Sequence, residues 1–317
     1  MKILVTGAAG FIGSHLAERL AALGHSVVGL DSLTDYYPPE LKERTVAELA
    51  ARGVPTLRLD LAADDLAGAV RGVDVVYHLA AQPGLSALPF ETYVRNNLIA
   101  THRLLDAVRR HASPRLFANV ATSSVYGADA TGDEEALPRP TSPYGVTKLA
   151  AEQLVLAAWR DAGFPACSFR PFSVYGPRER PEKLYPTLIR ALLDDRPLPL
   201  YEGSERHMRS FTYVGDIVDG LVAALERPEA CAGEIFNLGT EAAISTGEGI
   251  RIVEELVGRP ARIERRPPRA GDQSRTQANI AKARRVLGYD PGTTPREGLA
   301  ATVAWFRQQP DLRVAAL

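Results

Sequence analysis

The chain reads as an α/β protein: a doubly wound parallel (Rossmann) sheet with a smaller mixed α/β C-terminal substrate region. Three observations predict this. Short β-branched runs alternate with longer helical patterns through the first half of the 317 residues. The runs are almost continuously apolar, as parallel strands covered on both faces should be. Glycines cluster where the first run meets the first helical pattern, the place where such folds turn from strand to helix.

Taken in order, KILVTG (2–7), SVVGLD (26–31), TLRLDL (56–61), VDVVYHLAA (73–81) and RLFANVA (115–121) read as buried strands. Helical patterns occupy 11–23, 92–111 and 143–162, the last following Ser142-Pro143. Strand–helix–strand repetition implies right-handed crossovers. The segment DSLTDYYPPELKER (31–44) is too rich in turn residues and charge for sheet. From about residue 170 prolines and arginines thicken, EIFNLG (234–239) is one more strand, and 216–226, 246–257, 279–287 and 296–309 look helical. The expected division is a dinucleotide-binding domain over 1–170 and a substrate-binding region over 171–317, with 234–245 returning to the first.

Composition narrows the function. A net charge of -1 gives no basic footprint for nucleic acid. Two cysteines without CxxC spacing argue against a disulfide scaffold or zinc site. Six scattered histidines without an HExxH pattern predict no catalytic metal. No apolar run approaches the 18 or so residues of a membrane span, so a soluble, cytoplasmic protein is expected.

TGAAGFIG (6–13) sets Gly7, Gly10 and Gly13 between the first strand and its helix, with Phe11 and Ile12 in the opening turn. Such glycines let backbone amides approach a pyrophosphate at the positive helix end. The spacing is GxxGxxG rather than GxGxxG. Asp31, followed by Ser32, ends the second strand, where a carboxylate can accept from both ribose hydroxyls and repel a 2′-phosphate; NAD is favoured over NADP. Asp60-Leu61 ends the third strand near the adenine position, and Leu79, Ala80 and Ala81 in HLAAQ are small enough to let a dinucleotide pass.

SPYGVTK (142–148) puts Tyr144 and Lys148 four apart on one helix face. A phenol ordinarily ionises near pH 10. A lysine one turn away, with a positive nicotinamide, favours the phenolate, and Tyr144 can then take a hydroxyl proton as hydride leaves the same carbon.

TGAAGFIG, HLAAQ, ATSSVYG, PYGVTK, FRPFSVYGPR and RSFTYVGDIVDG, in this order, resemble an extended short-chain dehydrogenase/reductase of the nucleotide-sugar epimerase and dehydratase kind, over essentially the whole chain. The resemblance implies a tightly held NAD, regenerated each turnover. It implies Thr122, four before Tyr126, as the catalytic hydroxyl beside Tyr144 and Lys148. It adds Pro171 and Asn97 (in NNLIAT, where Ala100 replaces the family's glycine) to the cofactor site, and Arg209, Arg269 and Asp272 to the nucleoside diphosphate site. It also implies a homodimer built on the 92–111 and 143–162 helices.

Relatives that eliminate water carry acids at the positions of Ser123 and Ser124, and relatives that decarboxylate carry a glutamate at the second. Neither acid is present, which leaves oxidation at C4, rotation of the ketone and return of the hydride to its other face. DSLTDYYPPELKER and SVYGPRERP resemble elements of UDP-glucuronate 4-epimerases, with Lys42 reaching NAD and Ser173 and Arg180 facing the C5 substituent; Leu85-Ser86 stands where many of that group carry an arginine. A carboxylate there would meet Arg180, with Ser124 and Ser173 as hydroxyl donors. The alternatives are a 4-epimerase of neutral UDP-glucose or UDP-N-acetylglucosamine, a UDP-glucuronate decarboxylase, and a non-catalytic NAD sensor.

Overall fold

Both faces of the central sheet are covered, and its strands are correspondingly apolar from end to end. The computed structural model describes residues 1–84, 88–268 and 275–309. Seven parallel strands, β1 (Lys2–Thr6), β2 (Ser26–Asp31), β3 (Thr56–Arg58), β4 (Val75–His78), β5 (Leu116–Val120), β6 (Ala166–Pro171) and β7 (Ile235–Leu238), run in the order β7-β6-β5-β4-β1-β2-β3. Every residue of β4 and β5 is buried. Each buried Val, Leu or Ile there contributes about 1.5–3 kcal/mol. The order reverses at β1, flanked by β2 and β4, and this opens a crevice at the carboxyl ends of the strands.

The elements differ from the sequence expectation in instructive ways. Strand β3 stops at Arg58 and β4 at His78, so Leu59–Leu61 and Leu79–Ala81 leave the sheet as crevice wall. After helix α1 (Phe11–Ala22), helix α2 (Pro39–Ala51) begins inside the charged 31–44 segment, with a proline in its first turn. The expected 92–111 helix is α-helical at Phe90–Tyr93, π-helical at Val94–Ile99 and α-helical again at α3 (Ala100–His111). Strand β6 and a helix at Leu184–Leu193 have no counterpart in the sequence reading.

Helix α4 (Pro143–Ala162) is set by its ends: Ser142 Oγ accepts from Gly145 N–H at 3.1 Å, Pro143 opens the helix, and Gly163 closes it at φ 65°. Below its first turns lies a buried polar chain. Glu152 Oε1 and Oε2 accept from Arg170 Nη2 (2.6 Å) and Nε (3.0 Å), and Ser168 Oγ donates to Oε2 at 3.1 Å. Arg170 Nη1 donates to the Tyr126 hydroxyl (2.8 Å), which donates to Asn237 Oδ1 (2.8 Å). Asn237 N–H donates to Glu134 at 2.7 Å. The chain joins α4, β6, β7 and the 3₁₀ turn Ser123–Tyr126. Beyond the sheet, short pairs such as Met208–Arg209 with Ile244–Ser245, and Leu198–Tyr201 with Ile263–Arg266, carry the C-terminal half over the crevice.

Removing one member of a buried pair strands a charge, at a cost of about 3–5 kcal/mol. Glu152→Ala is therefore expected to lower unfolding free energy by about that amount in urea titrations. A loss below 1 kcal/mol would remove the pair from its structural role.

Candidate active site

The crevice begins at the turn after β1. Gly7 takes φ 70°, and a Cβ there would lie 2.8 Å from Ala80 N; a Cβ at Gly13 would lie 2.2 Å from Gly7 O. Glycine at both positions brings the start of α1 against the sheet, capped by Gly10 with no acidic residue in its first turn. Asp31 ties this turn to the end of β2, accepting from Ala9 N–H (3.1 Å) and Leu33 N–H (2.9 Å). The positive helix end and the space left clear of side chains suit an anionic diphosphate, and the carboxylate edge suits a ribose.

One cleft of about 890 Å³ brings together nearly all the residues singled out from sequence. On the side of α1 and β1–β4 it is lined by Gly7, Gly10, Phe11, Ile12, Gly13, Asp31, Ser32, Lys42, Asp60, Leu61, Leu79, Ala80 and Ala81. On the far side it is lined by Thr122, Ser123, Ser124, Tyr144, Lys148, Pro171, Ser173, Arg180 and Arg209. Arg269 and Asp272, like Leu85-Ser86, lie outside the described residues. Asn97 stands behind the wall rather than in it. Its side chain accepts from Gln82 N–H (2.6 Å) and donates to Gln82 O (3.1 Å) and Thr147 Oγ1 (3.0 Å), bracing HLAAQ against α4. Lys42 reaches the cleft, but its ammonium donates to Thr34 O (2.8 Å) and Oγ1 (2.9 Å), closing the loop after β2. Asp60 is drawn to Arg95 at 2.7 Å. Burial raises its pKa, and Arg95 with the Ala62 amide outweighs that, leaving the carboxyl more acidic than usual.

Thr122 caps the 3₁₀ turn, its Oγ1 accepting from Ser124 N–H at 3.1 Å and donating to Ser124 Oγ at 3.2 Å. A Cβ on Gly145 would sit 2.8 Å from Ser124 O, so α4 packs on this turn through a glycine and brings Tyr144 to Thr122. Burial pushes the Tyr144 phenol above its ordinary pKa, against a hydrogen bond with Thr122 and the positive charge of Arg180. Arg180, to which the spacing did not point, is thus a cation acting on this phenol. Lys148 is 2% exposed, and burial takes its ammonium down to about 8 against the pull of Glu152. His78 is no acid–base group: burial and Lys148 take it to about 3, and it bridges Thr6 and Thr101 at 2.8 Å each as a neutral strut.

Sequence reasoning missed Tyr36, Glu179 and Tyr185, which also line the cleft. Glu179 is pushed up to about 8 by burial despite Lys183 and Arg180, and its Oε2 has no hydrogen-bond partner among the described residues. Tyr36 lies within the DYY run already noticed; nothing in the sequence marked the other two.

A family model described as the NAD dependent epimerase/dehydratase family matches residues 3–239. The chain belongs to this family. An uncharacterised UDP-glucose epimerase of Bacillus subtilis is 40% identical over 312 residues, covering 96% of this chain and 98% of the relative. A probable UDP-glucuronate 4-epimerase of Rhizobium meliloti is 33% identical over 334 residues, covering 97% of each. The crystal structure of UDP-glucuronic acid 4-epimerase from Bacillus cereus, in complex with UDP-glucuronic acid and NAD, superposes with a TM-score of 0.92 at 38% identity, covering 97% of this chain and 99% of that one. The epimerase/dehydratase match begins in β1 and ends just beyond β7, the two strands that bound the sheet in sequence.

Lys148 also has a measurable signature. Its folded pKa lies below the ordinary 10.5, so the buried charge destabilises the fold at all pH values below about 8, and that cost fades as pH rises from 8 to 10.5. Relative to Lys148→Met, the ligand-free protein should gain stability across that window, by up to about 3 kcal/mol. Parallel stability–pH curves for the two proteins would overturn the assignment.

Proposed function

We propose that the chain is an NAD-dependent UDP-sugar 4-epimerase that interconverts UDP-glucuronate and UDP-galacturonate through a 4-keto intermediate. The observation that carries this reading is Arg180, which lines the cleft of Thr122, Tyr144 and Lys148 and acts electrostatically on Tyr144. A sugar whose C4 hydroxyl lies at Tyr144 places its C5 substituent toward Arg180, and a carboxylate there finds a charge-assisted partner. The names of the Rhizobium and Bacillus cereus relatives support the acid sugar.

The glycine turn, the start of α1 and Asp31 would hold NAD, and its chemistry when bound is reversible hydride acceptance. Tyr144 takes the C4 hydroxyl proton and returns it after the ketone has turned, and Thr122 hydrogen-bonds the reacting oxygen. Lys148 favours the phenolate of Tyr144. Arg209 meets the diphosphate. Ser123 and Ser124 offer hydroxyls where elimination or decarboxylation would call for an acid. A C4 ketone beside a C5 carboxylate is a β-keto acid. Arg180 and the hydroxyls of Ser124 and Ser173 therefore also serve to hold the carboxylate's C–C bond out of line with the carbonyl π system.

A neutral UDP-glucose is the second reading, supported by the name of the Bacillus subtilis relative. We further propose a cytoplasmic homodimer, in keeping with two buried free cysteines and with the exposure of Phe90, Ile99 and Val146 on the expected interface helices.

Purified protein incubated with UDP-glucuronate, without added NADH, should yield UDP-galacturonate by NMR, with no pentose product. Turnover of UDP-glucose alone would sink the acid-sugar reading, and inertness toward both would sink the enzyme. Arg180→Ala should lower kcat/KM for the acid sugar by at least about 30-fold, the worth of a charge-assisted pair of roughly 2 kcal/mol, while NAD retention is unchanged.

A further inference from the structure

Arg180 is gripped at one edge. Its Nη1 lies 3.2 Å from the Tyr36 hydroxyl and 2.8 Å from Glu182 Oε1, and its guanidinium carbon stands 5.4 Å from the centre of the Tyr36 ring. Among the described residues, Nε and Nη2 donate no hydrogen bond. The Arg180 side chain is 14% exposed and that of Glu182 is 48% exposed, and both line the cleft. Local backbone sets the pair: Lys183 N–H donates to Arg180 O at 3.1 Å, closing a turn that delivers the Glu182 carboxylate two residues from the guanidinium. Tyr36 comes from a distant segment, the loop after β2. Gly84 presses on both, since a Cβ there would lie 2.5 Å from the Tyr36 hydroxyl and 3.4 Å from Arg180 Nη1.

We infer that Glu182 is an internal competitor, holding Arg180 through its own carboxylate until the carboxylate of an anionic sugar displaces it, while Tyr36 keeps the guanidinium in place during the exchange. The inference rests on the acid-sugar reading above. An ion pair whose carboxylate is half exposed is weak, so it yields to a ligand carboxylate that meets the same arginine inside the cleft with its unengaged fork edge. A neutral sugar brings no anion to displace Glu182, and it meets an already neutralised pair. Glu182 and Tyr36 thereby act as specificity-determining residues, through Arg180 rather than by touching the reacting atoms.

The test is equilibrium binding of UDP-glucuronate and of UDP to the NAD-loaded protein at one ionic strength, by calorimetry. Glu182→Gln should tighten UDP-glucuronate about two- to fivefold, the worth of the displaced surface pair, with UDP unchanged. The gain should vanish in an Arg180→Ala background. Tyr36→Phe should weaken UDP-glucuronate and leave UDP unchanged. Unchanged or weaker UDP-glucuronate binding by Glu182→Gln, in protein whose melting temperature is unaltered, overturns the inference. Equal tightening of UDP also overturns it, because that marks a general charge effect. Failure of the underlying reading looks different: wild-type protein would bind UDP-glucose as tightly as UDP-glucuronate, and Arg180→Ala would move neither.

Discussion

Arg170 and Glu152 form an ion pair with almost no solvent around it, at 1% and 0% side-chain exposure. Taking two such charges out of water costs several kcal/mol each, and only close geometry with every remaining donor satisfied offsets that. Here the geometry is two-pronged, and the third guanidinium nitrogen goes to Tyr126. The position of the pair accounts for its presence. Glu152 is one turn after Lys148 on α4, and Tyr126 is four residues after Thr122, so a single guanidinium fixes the helix bearing Tyr144 and Lys148 against the turn bearing Thr122. Apolar residues of similar volume would fill the space, but without directional bonds they would leave the relative placement of those two elements less tightly defined.

A second constraint works from the opposite side of the cleft. Gly7 and Gly13 let α1 approach β1 and the segment after β4 at distances that no side chain permits. Asp31 then joins the same turn to the end of β2. Both constraints act at the carboxyl ends of the strands, where the order reverses at β1, so the crevice there is held open by packing that cannot relax into it. The groups on either side of it are mounted on rigid elements, and the pieces contributed by loops, Thr34 bonded to Lys42 of α2 and Arg180 bonded to Tyr36, are tied down by side-chain bonds instead.

What the sequence disclosed follows from how local each signal is. Nearly continuous apolar runs made β1, β2, β4 and β5 visible, and Ser142-Pro143 marked the first turn of α4 to the residue. Strand β6 stayed hidden because ACSFRP carries Ser168 and Arg170, polar residues that no buried strand should tolerate unless a partner exists elsewhere. The partner, Glu152, lies on a helix, and no window of sequence contains both. Lys42 and Asn97 were noticed for their family positions, yet their bonds to Thr34, Gln82 and Thr147 depend on how loops fold back. Glu179 reads from sequence as a surface ion-pair partner of Arg180, and only the fold shows it buried, with one oxygen lacking a partner among the described residues.

The electrostatics of Tyr144 set burial against a nearby cation. Burial holds the phenol protonated, and Arg180 is the cation that counters it. Glu182 shares that cation at 2.8 Å, so its help to the phenolate is partial. Lys148, one turn along the same helix from Tyr144, has its own charge weakened by burial and strengthened by Glu152. Glu152 cannot give more, because Arg170 already claims both of its oxygens. Partial protonation of Lys148 near pH 8 is therefore a property of the scaffold: the buried pair that positions α4 also limits how much charge Glu152 lends to Lys148.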